Sequence, residues 1–207
     1  MRRRIILPTS VGQQVNKGEC TVAKVTRTAA PWLYPVPPVL VSCQDAGQAN
    51  IITLGWCGVA SSDPPIIGVG IRPERYSYDI IKRSGEFVVN IPQASQVELV
   101  DFCGTISGRD ADKFARCGFT ALPGQSVQAP LIAECPVNLE CRVVQELSLG
   151  SHDLFLGEVL AVHYDEQCAV DHRFDLARAD ALVYAFGGYY RLGEALGRHG
   201  EWVRRKR

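Results

Sequence analysis

The sequence predicts a mainly β fold, an antiparallel barrel with short helices inserted. Three observations carry this. Six to eight short apolar or alternating segments are separated by turn residues. Only two stretches have helical spacing, and they do not alternate regularly with the strands, which argues against a doubly wound parallel sheet. No interdomain linker interrupts residues 21–190, and closing a sheet on itself removes its edges.

The elements follow in order. Residues 1–20 are weakly patterned and read as an N-terminal extension. Thr21 to Arg27 alternates loosely and predicts a strand, after which Pro31, Pro35, Pro37 and Pro38 forbid regular structure. Val39–Cys43 and Ala49–Leu54 read as two strands joined at Asp45-Ala46-Gly47, a hairpin over 38–54. Residues 55–65, rich in small and hydroxyl side chains, predict a loop, and Ile66–Ile71 a buried strand. Residues 74–83 place Tyr76, Tyr78, Ile80 and Ile81 at helical spacing, ended by Gly85. A strand over 86–91 and a helix over 94–103 follow, then a polar segment around Phe114. Residues 136–147 and 152–163 predict two long strands. Residues 164–180 are acidic and irregular, and Ala181–Phe186 is a last apolar run. The resulting organisation is an extension 1–20, one domain over 21–197 and a basic tail 198–207.

The chain has 207 residues, 22 basic and 22 acidic. Hydrophobic content of 46% is too high for a disordered chain. Zero net charge argues against a general nucleic-acid binder. The balance is uneven: without residues 1–4 and 201–207, 15 basic face 21 acidic residues, a body of net charge −6. No apolar run is long enough for a membrane span. Only three apolar residues separate Arg4 from Pro8, too few for a signal peptide, so the sequence reads as cytosolic. In that compartment the eight cysteines are mainly packing residues rather than disulfides. No pair has Cys-x-x-Cys spacing, and no metal site is predicted.

Two neighbouring segments carry the chemistry. Asn50 to Pro65 holds Thr53, Ser61 and Ser62 as hydroxyls, Gly55 and Gly58 for close backbone approach, and Trp56 as a flat surface. Such a loop suits a planar heterocycle bearing a phosphate; an ordinary surface loop with a buried Trp is the competing reading. Arg72, Arg75, Tyr76 and Ser77 then stand where the 74–83 helix begins, and a helix N-terminus beside Arg is an anion site.

With those segments in place, the chain resembles the flavin reductase-like, flavin mononucleotide (FMN)-binding split-barrel family, and within it the flavoredoxin-type branch. The likeness rests on residues 50–58, Ser61 to Pro65, Arg72 to Tyr78 and Gly85 to Pro92. It continues through Cys103-Gly104, Ser107 to Phe114, His152 to Val159 and Tyr189 to Glu194, covering about residues 30–197. It implies a six-stranded Greek-key split barrel, a homodimer and one FMN per subunit near the dimer interface. Thr53, Ser61 and Ser62, with Asn50 beside them, would meet the ribityl-phosphate portion. Arg72, Tyr76 and Ser77 would hold the phosphate, and Gly55, Trp56, Cys57 and Gly58 would line the ring. Asp112, Lys113 and Phe114 would close the pocket.

In related reductases a Gly-Asp-His-like element lies near the nicotinamide. Here it reads Gly150-Ser151-His152-Asp153, with Ser151 where an acidic neighbour is expected. His152 is therefore the nicotinamide-side catalytic candidate, with a strand-capping histidine as the bland alternative. The implied activity is an NADH- or NADPH-dependent flavin reductase delivering hydride to flavin N5. Two other readings stand beside it: an FMN electron carrier serving a redox protein partner, and a cysteine-based metal or redox protein using Cys57 or Cys103.

Overall fold

Seven antiparallel strands form one sheet in the order β2-β1-β5-β8-β9-β4-β3. The structure is a computed structural model, and it describes residues 23–171 and 173–204. Along the chain, β1 (Val39–Asp45) and β2 (Gln48–Leu54) form the first hairpin. Its turn uses Ala46 and Gly47 at φ 49° and 80°, the left-handed values a tight hairpin requires. β3 (Cys57–Ser62) and β4 (Pro65–Ile71) form the second. α1 (Tyr76–Ser84) ends at Gly85 with φ 68° and leads into β5 (Glu86–Ile91).

A 3-10 turn, Ala94–Gln96, opens α2 (Val97–Thr105), and α3 (Lys113–Cys117) follows. The short strands β6 (Ala121–Leu122) and β7 (Leu131–Ile132) pair with each other. β8 (Val137–Ser148) and β9 (Asp153–Tyr164) form the long third hairpin. Two small ladders complete the chain, β10 (Ala169–Val170) with β11 (Arg173–Phe174), and β12 (Leu182–Ala185) with β13 (Gly188–Arg191). The helical turn α4 (Glu201–Arg204) comes last.

Ile52 of β2 and Val69 of β4 share one core with Val41, Phe87, Cys141 and Phe155. These strands stand near opposite ends of the sheet order, so the sheet must curl round on itself. α1 supplies Ile80 and Ile81 to the same core. A second core lies outside the curl, where α2 covers β1 and β2 through Leu40, Ile51, Val100 and Cys103. The predicted mainly β split barrel is thus formed, with seven strands in its main sheet where the resemblance implies six.

Two expectations are corrected. Residues 55–65 are not a loop: Cys57–Ser62 is strand β3, with Gly58 opposite Gly68 and a register shift between Val59 and Ser61. Small residues that read as a loop are tolerated there because β3 is an edge strand. The strand expected over 21–27 does not form across its described part. The chain divides into two units, Met1–Trp32 and Leu33–Arg207. In the first, the described residues 23–32 carry no strand with which 23–27 could pair. The extension 1–20, with Arg2 to Arg4 and Cys20, lies outside the described residues, as do His172 and Arg205, Lys206 and Arg207.

Two buried polar groups organise the elements around the sheet. The fully buried Glu140 carboxylate accepts from the backbone N–H groups of Gln125, Ser126 and Val127 at 2.9, 2.6 and 2.9 Å. It also meets His163 Nε2 at 2.6 Å. Burial pushes this carboxyl up, but the backbone donors and His163 outweigh it, and the net shift is downward. The Lys113 ammonium, only 4% exposed, donates to Ile51 O and to Cys103 O, both at 2.7 Å. It thereby ties α2 and α3 to β2. Burial is the main reason its pKa is lowered.

Both ties are open to measurement. Glu140→Gln is expected to cost about 2–3 kcal/mol in denaturant unfolding at pH 7, because hydrogen bonds to a charged acceptor are weakened or lost. With the folded pKa depressed, that stability is present above the ordinary value of 4.5 and lost as pH falls through the folded value. A variant with the wild-type midpoint and wild-type acid profile would contradict this. Lys113→Ala leaves two carbonyls without their donor and opens a cavity, at an expected cost of about 3 kcal/mol. Thermal unfolding of that variant at the wild-type temperature would show that the tie is not needed.

Candidate functional site

The α2–α3 segment stands off the outer face of β2, leaving a cleft of three adjoining hollows of about 300, 200 and 140 Å³. Gly104 lines all three. A Cβ there would lie 3.2 Å from Thr53 Cβ, so the floor is as thin as it is because residue 104 is glycine. Thr53 itself is fixed by donating its hydroxyl hydrogen to Val100 O of α2.

The hollow of about 200 Å³ is cationic. Arg75, Arg109 and Lys113 line it, together with Ser77, Ser107 and Asn50. Arg75 occupies the N-cap position of α1 without a side-chain cap, so first-turn N–H groups are left for a ligand. Asn50 Nδ2 donates to Ser77 Oγ at 2.7 Å, holding β2 against α1. The Arg109 guanidinium lies 5.2 Å from the Tyr76 ring centroid, and its Nη1 donates to Glu74 O at 3.3 Å. Between Ser107 and Arg109, Gly108 presses flat on Asn50 and Tyr76, and any Cβ would collide with both.

The hollow of about 300 Å³ is aromatic. Tyr34, Trp56, Tyr184 and Tyr189 line it beside Pro38 and Asp101. Tyr34 lies 6.0 Å from Trp56 and 4.6 Å from Phe186 between ring centroids, and Tyr184 lies 5.4 Å from Tyr189. Val36 and Tyr184 exchange backbone hydrogen bonds at 3.0 and 2.9 Å, which brings the proline-rich segment into this wall. Tyr189 donates to Asp101 Oδ1 at 3.3 Å.

The third hollow, of about 140 Å³, joins the two and is lined by Trp56, Gly70, Arg72, Arg75 and His152. His152 Nδ1 lies 3.0 Å from Ser151 Oγ. Burial, and then the nearby Arg72 charge, holds its pKa below the ordinary histidine value. Arg72 forms an exposed ion pair with Glu74 at 3.6 Å.

The structure therefore gathers Asn50, Thr53, Gly55, Trp56, Arg72, Tyr76, Ser77, Lys113 and His152 around one cleft. Other candidates lie elsewhere in the chain's fold. Cys57 packs against the main core, and burial pushes its thiol up to about 12. Gly58 sits in the β3–β4 ladder, and Ser61 and Ser62 stand at its far end opposite Ile66 and Pro65. Asp112 caps α3 by accepting from Ala115 N at 3.1 Å, and with Phe114 lines a separate hollow near Gly47. Among the described residues no group of three or more His, Cys, Asp or Glu is placed to hold a metal ion.

The sequence points to Arg75 through its place at the start of the helical pattern and to Trp56 in the aromatic wall, but assigns no site role to Ser107 to Arg109, Tyr34, Tyr184 or Tyr189. Tyr34 and Tyr184 carried no such signal, because their rings, 6.1 Å apart, are brought together by the Val36–Tyr184 bridge between distant parts of the chain.

Comparison with known proteins places this geometry. The family described as flavin reductase like domain matches residues 33–193. The flavoredoxin of Desulfovibrio vulgaris (Miyazaki F) superposes with a TM-score of 0.82 at 33% identity, covering 86% of this chain and 98% of that one. An uncharacterized protein of Archaeoglobus fulgidus is 37% identical over 135 residues, 65% of this chain and 76% of that protein. The FMN reductase (NADH) RutF 2 of Methylorubrum extorquens is 26% identical over 175 residues, 84% of this chain and 91% of that protein. With its curled seven-stranded sheet and a match over most of its length, the chain belongs to the flavin reductase like domain family.

Proposed function

We propose that this chain is a cytosolic FMN-dependent oxidoreductase, a flavin reductase that takes its hydride from NADH or NADPH. The observation that carries the reading is the polarity of the cleft: a cationic helix N-terminus at one end, aromatic rings at the other and a glycine floor between. That is the donor set and the shape required by a phosphate joined through a polyol to a planar ring.

Each residue then has a definable part. Arg75 and the first-turn N–H groups of α1 neutralise a phosphate dianion, with Arg109 and Ser77 beside them. Thr53 has given its hydrogen to Val100 O and so presents lone pairs, which accept from a polyol hydroxyl. Tyr34, Trp56 and Tyr184 cover a ring and exclude water from it. His152, on the wall of the third hollow, positions a carboxamide by hydrogen bonding through a ring nitrogen. FMN, when bound, supplies the electron chemistry itself.

A second reading keeps FMN but dispenses with the pyridine nucleotide, so that the chain passes electrons to and from a redox protein. The exposure of the cleft mouth favours it, since Trp56 in the aromatic hollow is 36% exposed. In either case we read the protein as a homodimer. The outward faces of β3, β8 and β9 carry exposed Val59, Val144 and Val162, which a second copy would cover.

Flavin titration tests the phosphate end. Arg75→Ala is expected to weaken FMN binding about tenfold, as loss of a charge-assisted bond predicts, and to leave riboflavin binding unchanged. Equal weakening of both ligands would place the phosphate elsewhere. Anaerobic mixing of the FMN-loaded protein with NADH and with NADPH separates the two readings. Rapid bleaching of the flavin band by one of them, slowed several-fold in His152→Ala with FMN affinity intact, is the expected result; no bleaching by either leaves the electron carrier.

A further inference from the structure

Two cysteine sulfurs meet at the back of the cleft wall. Cys103 Sγ, on α2, lies 3.7 Å from Cys117 Sγ, on α3. Cys103 is fully buried and lines the cationic hollow, while Cys117, the last residue of its helix, is half-buried and packs against the edge of the second core. The Lys113 ammonium holds Cys103 O and lies close enough to both thiols to favour their thiolate forms. Burial outweighs this at both sulfurs, pushing Cys103 up to about 12 and holding Cys117 above the ordinary thiol value. The more open Cys117 is accordingly the sulfur that a small oxidant reaches first.

We propose that Cys103 and Cys117 are a redox pair that a peroxide closes to an intramolecular disulfide, stapling the wall of the cleft. Bringing the sulfurs from 3.7 Å to a bond of about 2.05 Å needs less than 2 Å of approach. The Cys117 thiolate attacks one peroxide oxygen and the O–O bond breaks. The departing hydroxide takes the thiol proton and leaves as water, with Cys117 as a sulfenic acid. Cys103 Sγ then attacks the sulfenic sulfur, the S–O bond breaks, and a second water leaves carrying the Cys103 proton. Two thiols have lost two electrons, and the peroxide has become two waters.

The position of the pair gives the bond its consequence. The segment between the two cysteines supplies Gly104, Ser107, Gly108, Arg109 and Lys113 to the cleft. Joining its ends closes that wall into a covalent ring and restricts the conformations open to it. The chemistry does not depend on what the cleft binds.

Peptide mapping tests the proposal directly. The native protein is treated with a small excess of hydrogen peroxide, alkylated with N-ethylmaleimide in denaturant, and cut with trypsin and Glu-C. Cys103 then lies alone in the fragment 99–109 and Cys117 alone in 117–134. The expected product is these two fragments joined by a bond that dithiothreitol reverses, in most of the protein, and absent in Cys117→Ser. Recovery of both fragments alkylated, or of Cys117 as a sulfinic acid without the cross-link, would overturn the proposal. The readout is a mass, so it stands or falls apart from any failure to bind flavin.

Discussion

The buried ammonium of Lys113 is the point on which the cleft depends. Its bonds to Ile51 O and Cys103 O join a strand of the barrel to a helix outside it. Apolar packing between α2 and β2, through Val100 and Ile51, brings the two elements together without fixing their separation. Directional bonds do fix it, and Thr53 to Val100 O adds a third of the same kind. The desolvation penalty visible in the lowered Lys113 pKa is what this precision costs. Without the tie the second core could collapse onto β2 and fill the space where the three hollows meet.

The same arrangement explains how a body with a net charge of −6 outside its termini presents a cationic site. Arg72, Arg75 and Arg109 come from the start of α1 and from the turn after α2, and the fold sets them around one opening. Among the residues lining these two hollows Glu74 is the one carboxylate, and it pairs with Arg72. The phosphate recognition proposed for this site would need no overall positive charge, because the charges and helix N–H groups act over a few ångströms. Cys103 of the cysteine pair lines the cationic hollow, so the chemistry of sulfur and the geometry of the cleft share one segment.

Much of this was legible in the sequence, for physical reasons that differ by element. The β1–β2 hairpin could be read because strand burial and turn chemistry agree at Ala46-Gly47. The α1 boundaries followed from its apolar spacing and from Gly85. Strand β3 was missed because its small residues carry no burial signal; it exists through its pairing with β4, which local pattern does not report. On the site, residues within one element and its neighbouring turn, such as Asn50, Thr53, Trp56 and Tyr76, were found together. Ser61 and Ser62 were drawn in with them as part of one apparent loop, whereas a strand carries them away along the ladder. The wall built from Tyr34 and Tyr184 depends on a contact between distant parts of the chain, and no periodicity announces it.

The central claim is directional: the cleft takes a phosphate at the start of α1 and a planar ring among the aromatic side chains. A crystal structure of the protein grown with FMN tests it most directly. The account predicts phosphate oxygens within hydrogen-bonding distance of Arg75 and Ser77, with the ring beside Trp56. An FMN lying in the reverse sense, or seated away from Gly104, would contradict it.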